Sequence, residues 1–222
     1  MIGFALCHGW SFDADSMDAF AACLKERFPS CAIASYDLGF TGTPHAPQLD
    51  AMPDTQWIAL GHSYGFAYLM QLPVPWRAAI SVNGFTRFCR RPGKPEGMPL
   101  RLVDAMIARL ESEPRATVEE FQQRCGGVQL SQPHQTPLQQ LDAPFLVTHL
   151  TQLRDLDLPM PACPVLSLST HDDLIVPPSL THACFGKAGC TMQEYEGSHL
   201  QLLHAPQQCM TAVAAFVEAC NG

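Results

Sequence analysis

Gln56-Trp57-Ile58-Ala59-Leu60-Gly61-His62-Ser63-Tyr64-Gly65, continued by Phe66-Ala67-Tyr68-Leu69-Met70-Gln71-Leu72, joins a short apolar run to a helical stretch through a G-x-S-x-G turn. Residues 56–60 have the length and composition of a buried strand, and the stretch to Leu72 reads as a helix. Side chains at the two glycines would collide with neighbouring backbone. The expectation is a tight strand-to-helix turn that exposes the hydroxyl of Ser63. A serine capping an ordinary helix is the other reading of the same residues.

Outward from this turn the alternation of strand and helix repeats. Residues 2–7 form an apolar run, and residues 15–28 place Met17, Phe20, Ala21, Leu24 and Phe28 on one helical face. Residues 31–36 read as a strand that ends in the loop Asp37-Leu38-Gly39-Phe40-Thr41-Gly42-Thr43-Pro44. Further strands are expected at 77–82, 164–169 and 191–195, followed by a last helix with Met210, Val213, Val217 and Cys220 on one face. Such alternation predicts an α/β fold, a mostly parallel sheet flanked by helices, with chemistry at the strand C-terminal ends. Between residues 84 and 145 the alternation stops. Helical segments near 100–110 and 117–124 without a strand predict a helical lid inserted before the strand at 164–169.

With 222 residues, 47% apolar and 15% charged, the chain can bury one large core, and a single domain spanning 1–222 with its insertion is expected. Lys and Arg number 13 against 21 Asp and Glu, a net charge of −8, which argues against a general phosphate-backbone binder, so nucleic acid is not an expected partner. No apolar stretch nears the roughly 18–20 residues of a bilayer crossing, and no basic segment precedes the first apolar run. A cytoplasmic monomer without membrane attachment is expected. The ten cysteines contain no C-x-x-C pair and read as small buried hydrophobes, so neither a zinc site nor another metal is indicated.

A serine hydroxyl is a weak nucleophile at neutral pH and needs a base to accept its proton and an acid to orient that base. His199 follows the last strand in Glu196-Gly197-Ser198-His199, and Asp172 and Asp173 follow the strand before it. His204 is the nearest competitor for the base, one helical turn later beside Ala205-Pro206. Acyl transfer also needs N–H donors for an oxyanion. One is expected at Tyr64, directly after the serine, and the second in the loop His8-Gly9-Trp10 after the first strand.

His8-Gly9-Trp10, Asp37-Leu38-Gly39-Phe40, the Ser63 turn, Asp173-Leu174-Ile175-Val176-Pro177 and Gly197-Ser198-His199 together resemble the α/β-hydrolase superfamily across nearly the whole chain. The resemblance implies Ser63 as nucleophile, Asp173 rather than Asp172 as acid, His199 as base, the amides of Trp10 and Tyr64 as oxyanion hole, and no cofactor. Within the superfamily the chain is most similar to the carboxylesterases of biotin synthesis, which cleave the methyl ester of pimeloyl-[acyl-carrier protein]. The support lies in the His-Gly-Trp loop, in the lid opening from Val82 to Gly93 and in Thr117-Val118-Glu119-Glu120-Phe121. It departs from that group at His62, where Trp is usual, and at Phe66, where a second Gly is usual. Phe85, Phe88 and Met98 are then expected to line an acyl channel. The segment 84–145 holds 8 of the 13 basic residues and 7 acids, so Arg87, Arg90 and Arg91 are expected to steer an acidic acyl-carrier protein toward the site. A small-ester or lipid esterase, a thioesterase, an amidase, a cofactor-free haloperoxidase and a catalytically silent binding homologue are the alternatives.

Overall fold

A computed structural model describes residues 1–126, 140–186 and 189–221. Part of the expected lid, residues 127–139, lies outside the described residues. Six strands form one sheet: β1 (Ile2–Cys7), β2 (Ala32–Tyr36), β3 (Gln56–His62), β4 (Ala78–Val82), β5 (Val165–Thr170) and β6 (Cys190–Tyr195). Their order is β2-β1-β3-β4-β5-β6, and every pairing is parallel. Each strand lies within a few residues of its sequence reading; the central strands are the mostly apolar runs expected where both faces are covered, whereas the edge strand β6 mixes half-buried and exposed residues. All five residues of β4 are buried.

Helices cover the sheet. A 3-10 turn at Ala14–Met17 leads into α1 (Asp18–Arg27), with the Asp13 carboxylate accepting from the Ser16 N–H. Phe20 and Leu24 of α1 are buried. α2 (Tyr64–Leu69) ends three residues before the expected Leu72, since Pro73 and Pro75 follow and the residue before a proline resists helical geometry. After α6 (Pro178–Phe185) and the short α7 (Gln201–His204), α8 (Met210–Asn221) packs against α1 and β4. Val213 and Val217 of α8 are fully buried.

Between β4 and β5 stand α3 (Leu100–Ser112), α4 (Pro114–Arg124) and α5 (Ala143–Asp155). Pro114 opens α4, a position that tolerates the missing N–H. Asp142 caps α5 by accepting the Phe145 N–H at 2.9 Å. α5 extends well past residue 145, the limit drawn from sequence for the lid. α3 packs on both α4 and α5, which sets the three helices over the strand ends around Ser63. Among the described residues no helix is long and apolar enough to cross a membrane.

The junction of β3 and α2 is packed backbone against backbone. A Cβ on Gly65 would stand 2.3 Å from the Cys7 carbonyl oxygen, and one on Gly61 would stand 2.2 Å from the Phe66 nitrogen. No side chain can rotate away to relieve either contact. Gly65→Ala is therefore expected to lower the unfolding free energy by about 1–3 kcal/mol, as overpacking does. A urea titration followed by circular dichroism reads this as a lower midpoint.

Candidate active site

The turn after β3 holds Ser63 at φ 52° and ψ −122°, a conformation rare for any residue but glycine and typical of strain stored at a functional site. Its N–H donates to the Val82 carbonyl at 2.9 Å, anchoring the turn to β4. The side chain lies in the wall of a cavity of about 240 Å³.

Asp173 and His199 come together beside it. Asp173 Oδ2 and His199 Nδ1 are 2.6 Å apart, with the residues only 3% and 1% exposed. The other carboxylate oxygen accepts the N–H groups of Ile175 at 2.7 Å and Val176 at 2.8 Å. The carboxylate oxygens accept all three bonds, so Nδ1 carries the imidazole proton and Nε2 is left bare. Nε2 is buried and has no hydrogen-bond partner among the described residues. The bond from Ser63 Oγ to Nε2 is therefore open in this structure, although the residue next to Ser63, His62, packs its ring 4.7 Å from that of His199. The competing residues are placed elsewhere. Asp172 is exposed and uses its N–H on the Gly197 carbonyl, and His204 is exposed on α7.

Trp10 and Tyr64, expected for their amides, also tie the site to α5 through their side chains. Trp10 Nε1 donates to the Leu146 carbonyl at 3.1 Å. The Tyr64 hydroxyl donates to Gln152 Oε1 at 3.1 Å and meets His149 Nδ1 at 3.0 Å. Burial pushes the Tyr64 phenol up and His149 down, so both are neutral at pH 7. Across the loop, His8 Nε2 lies 2.9 Å from the Leu38 N and 3.6 Å from Asp37 Oδ1, and Nδ1 lies 2.8 Å from the Gly9 carbonyl.

Phe85, Phe88 and Met98 line the cavity with Ser63 and Trp10. The sequence reading missed Val103 and Met106 of α3, Phe121 of α4, Leu150 and Leu153 of α5, and Ile175, which complete its apolar wall. Val103, Met106 and Leu110 recur at helical spacing, a signal that marks an apolar face on α3 but does not show whether it meets protein or a cavity.

Of the three arginines expected to steer a partner, Arg87 is corrected. Arg87 is 4% exposed; it donates to the carbonyls of Cys89 at 2.9 Å and Glu96 at 2.5 Å, with the Glu96 carboxylate 3.9 Å away. It cannot face a partner because it holds the lid opening closed on itself. Arg91 is half-buried and donates to the Arg90 and Arg154 carbonyls. Arg90 is exposed, with Nε on the Gly97 carbonyl. A count of charges along the sequence does not distinguish a guanidinium that caps carbonyls from one that faces solvent.

The chain matches no protein-family model and no curated protein. Among solved structures it is similar to an esterase from Exiguobacterium antarcticum, with a TM-score of 0.80 at 18% identity, covering 98% of this chain and 92% of that one. It is also similar to a bromoperoxidase from Bacillus anthracis, with a TM-score of 0.76 at 16% identity and coverage of 97% and 91%. MenH from S. aureus gives 0.69 at 15% identity, with 99% and 94% covered. These likenesses, with the parallel sheet, assign the α/β-hydrolase fold.

The Asp173 carboxylate fixes the imidazole tautomer, so exchanging one oxygen for an NH2 disturbs it with little change in shape. Asp173→Asn is expected to slow reaction of Ser63 with a fluorophosphonate by about four orders of magnitude. Time-resolved mass spectrometry of the adduct measures the rate.

Proposed function

We propose that the protein is a serine carboxylesterase with Ser63 as nucleophile, His199 as base and Asp173 as the orienting acid. The observation that supports this reading is the buried His199–Asp173 bond, which leaves Nε2 bare and without a partner among the described residues, in a ring packed on His62, the residue before a serine on a strained turn. Ser63 Oγ attacks the ester carbonyl as Nε2 takes its proton. The charge on the carbonyl oxygen is met by the amides of Tyr64, at the start of α2, and Trp10. The imidazolium then gives its proton to the departing alcohol, and water repeats the sequence on the acyl-enzyme to free the acid and restore the serine. Asp173 stays ionised throughout and stabilises the imidazolium.

The cavity supports an apolar acyl group. Aromatic and aliphatic side chains from all three lid helices surround it, while Arg109, the main cation on its wall with Arg124, is paired with Glu113 and Glu120. The favoured substrate is the methyl ester of pimeloyl-[acyl-carrier protein], supported by the resemblance of the lid opening and by this lining. Docking of the acidic carrier then falls to exposed lid cations outside the cavity, Arg90 and Arg101.

Ser63→Ala should lower kcat on p-nitrophenyl esters by about six orders of magnitude and abolish fluorophosphonate labelling, as for other triads acting as a unit. Retention of a tenth of the activity or more would rule out this nucleophile. Arg90→Glu with Arg101→Glu should raise KM for the carrier-bound ester and spare p-nitrophenyl butyrate; equal effects on both would remove the docking reading. Rescue of a biotin-requiring host that lacks its own pimeloyl esterase tests the substrate in cells.

A further inference from the structure

Three strand ends converge on the backbone of Ser198 and His199. His62, the last residue of β3, places Nε2 3.1 Å from the His199 carbonyl. Asn83, directly after β4, donates Nδ2 to the same oxygen at 2.9 Å. Thr170, the last residue of β5, accepts from Asn83 Nδ2 at 3.0 Å and lies 3.0 Å from the Ser198 carbonyl, to which it donates. The His199 carbonyl thus receives two side-chain donors, one from the strand that delivers Ser63 and one from its neighbour.

A carbonyl oxygen only accepts, so the proton of neutral His62 resides on Nε2 and Nδ1 is bare. Nδ1 is buried without a hydrogen-bond partner among the described residues. A methyl on Gly9 would stand 2.9 Å from it, and Phe12 meets the ring edge-on at 6.2 Å. The imidazole therefore fills the space between the His8-Gly9-Trp10 loop and the base. A phenyl ring would fill the same space without stranding a polar nitrogen, so packing does not explain an imidazole here. The N–H to the His199 carbonyl does. Burial and the neighbouring His199 hold His62 well below its ordinary pKa, which keeps this donor neutral beside a base that must become cationic.

Asn83 is held at φ 47°, the left-handed region that asparagine tolerates better than most residues. The conformation aims its amide at both Thr170 and His199. Among the described residues the His199 ring has one hydrogen-bond tether, through Nδ1 to Asp173, and a ring bonded at one point can still swing with its backbone. Fixing the carbonyl of the same residue removes that freedom.

Taking the serine-esterase reading as its basis, we propose that His62 and Asn83 are positioning residues that lock the His199 backbone to the strand ends flanking Ser63, holding base and nucleophile in one frame. Neither residue lines the cavity, so their loss should affect turnover and leave substrate binding alone.

The test compares His62→Phe, His62→Gln and Asn83→Asp with wild type in the full chain, using p-nitrophenyl butyrate and fluorophosphonate labelling, with circular dichroism to verify folding. His62→Phe and Asn83→Asp each remove a donor and should lower kcat about 10- to 100-fold, the scale of a misplaced catalytic group, with KM within about twofold. His62→Gln sets an amide N–H where Nε2 was and should recover kcat to within about threefold of wild type. Folded His62→Phe and Asn83→Asp with wild-type kcat would overturn the proposal, as would His62→Gln turning over no faster than His62→Phe. If His62→Phe does not fold, Asn83→Asp against wild type decides. Wild type that forms no Ser63 adduct overturns the esterase reading, and this inference with it; a labelled wild type with unaffected variants overturns this inference alone.

Discussion

The site depends on a carboxylate and an imidazole held 2.6 Å apart where water does not reach. A buried carboxylate is costly unless its lone pairs are used. Asp173 uses them on three donors: the imidazole N–H and the backbone N–H groups of Ile175 and Val176. Those two amides belong to the loop that also returns the chain into α6, so the fold itself solvates the charge. From that single carboxylate the proposed chemistry follows: the proton sits on Nδ1, Nε2 is left bare, and in the proposed reaction a positive charge forming on the ring would have its partner in place.

Parallel strands bring the components together because all their C-terminal ends lie at the same edge of the sheet. The registers that pair His62 with Val82 and Thr170 with Tyr195 set the ends of neighbouring strands side by side, so residues far apart in sequence reach a common point. The interiors of the central strands are mostly apolar, with buried serines at Ser81, Ser167 and Ser169, and His62, Asn83 and Thr170 stand at or just beyond the ends, where they find partners. Strain at Ser63 is tolerable for the same reason. The turn is fixed on one side by the Ser63 N–H to Val82 and on the other by α2 packed against β1 and β3.

How much of this was legible in the sequence follows from what periodicity encodes. An apolar run reports that a segment is buried on both faces, so the central strands and the Ser63 turn could be read directly, while the edge strand β6, Cys190-Thr191-Met192-Gln193-Glu194-Tyr195, is only half covered. Identity of partners is not periodic. Asp172 and Asp173 are equivalent by pattern, and only the folded loop turns one carboxylate inward onto His199 while the other stays exposed. The same limit hid the role of Arg87, a cation in a run of cations that is used up on the carbonyls of Cys89 and Glu96. The Gly-His-Ser sequence located His62 without revealing that its N–H crosses to the carbonyl of His199. The segments of α3 and α4 are recognisable as helical, whereas α5 is not read from the sequence, and hydrophobic spacing is in any case the same for a face that meets protein and for one that meets a ligand.

An apolar cavity against the nucleophile also limits how selectivity can arise. Each methylene taken from water contributes about 0.8 kcal/mol, roughly a fourfold preference per carbon while room lasts. That energy is realised equally in the bound substrate and in the transition state unless seating the chain also improves the geometry of attack. The lid offers such a link. Phe121 of α4 lines the cavity, the Cys125 carbonyl just beyond that helix accepts the Leu200 N–H at 3.2 Å, and Leu200 follows His199. In the proposed esterase, side chains that would meet an acyl group and the backbone beside His199 are joined through the end of one helix, so a chain that fills the cavity is expected to act on the segment next to Nε2. Binding energy from a part of the substrate that does not react would then be spent on alignment, and esters too short to reach α4 would lose turnover as well as affinity.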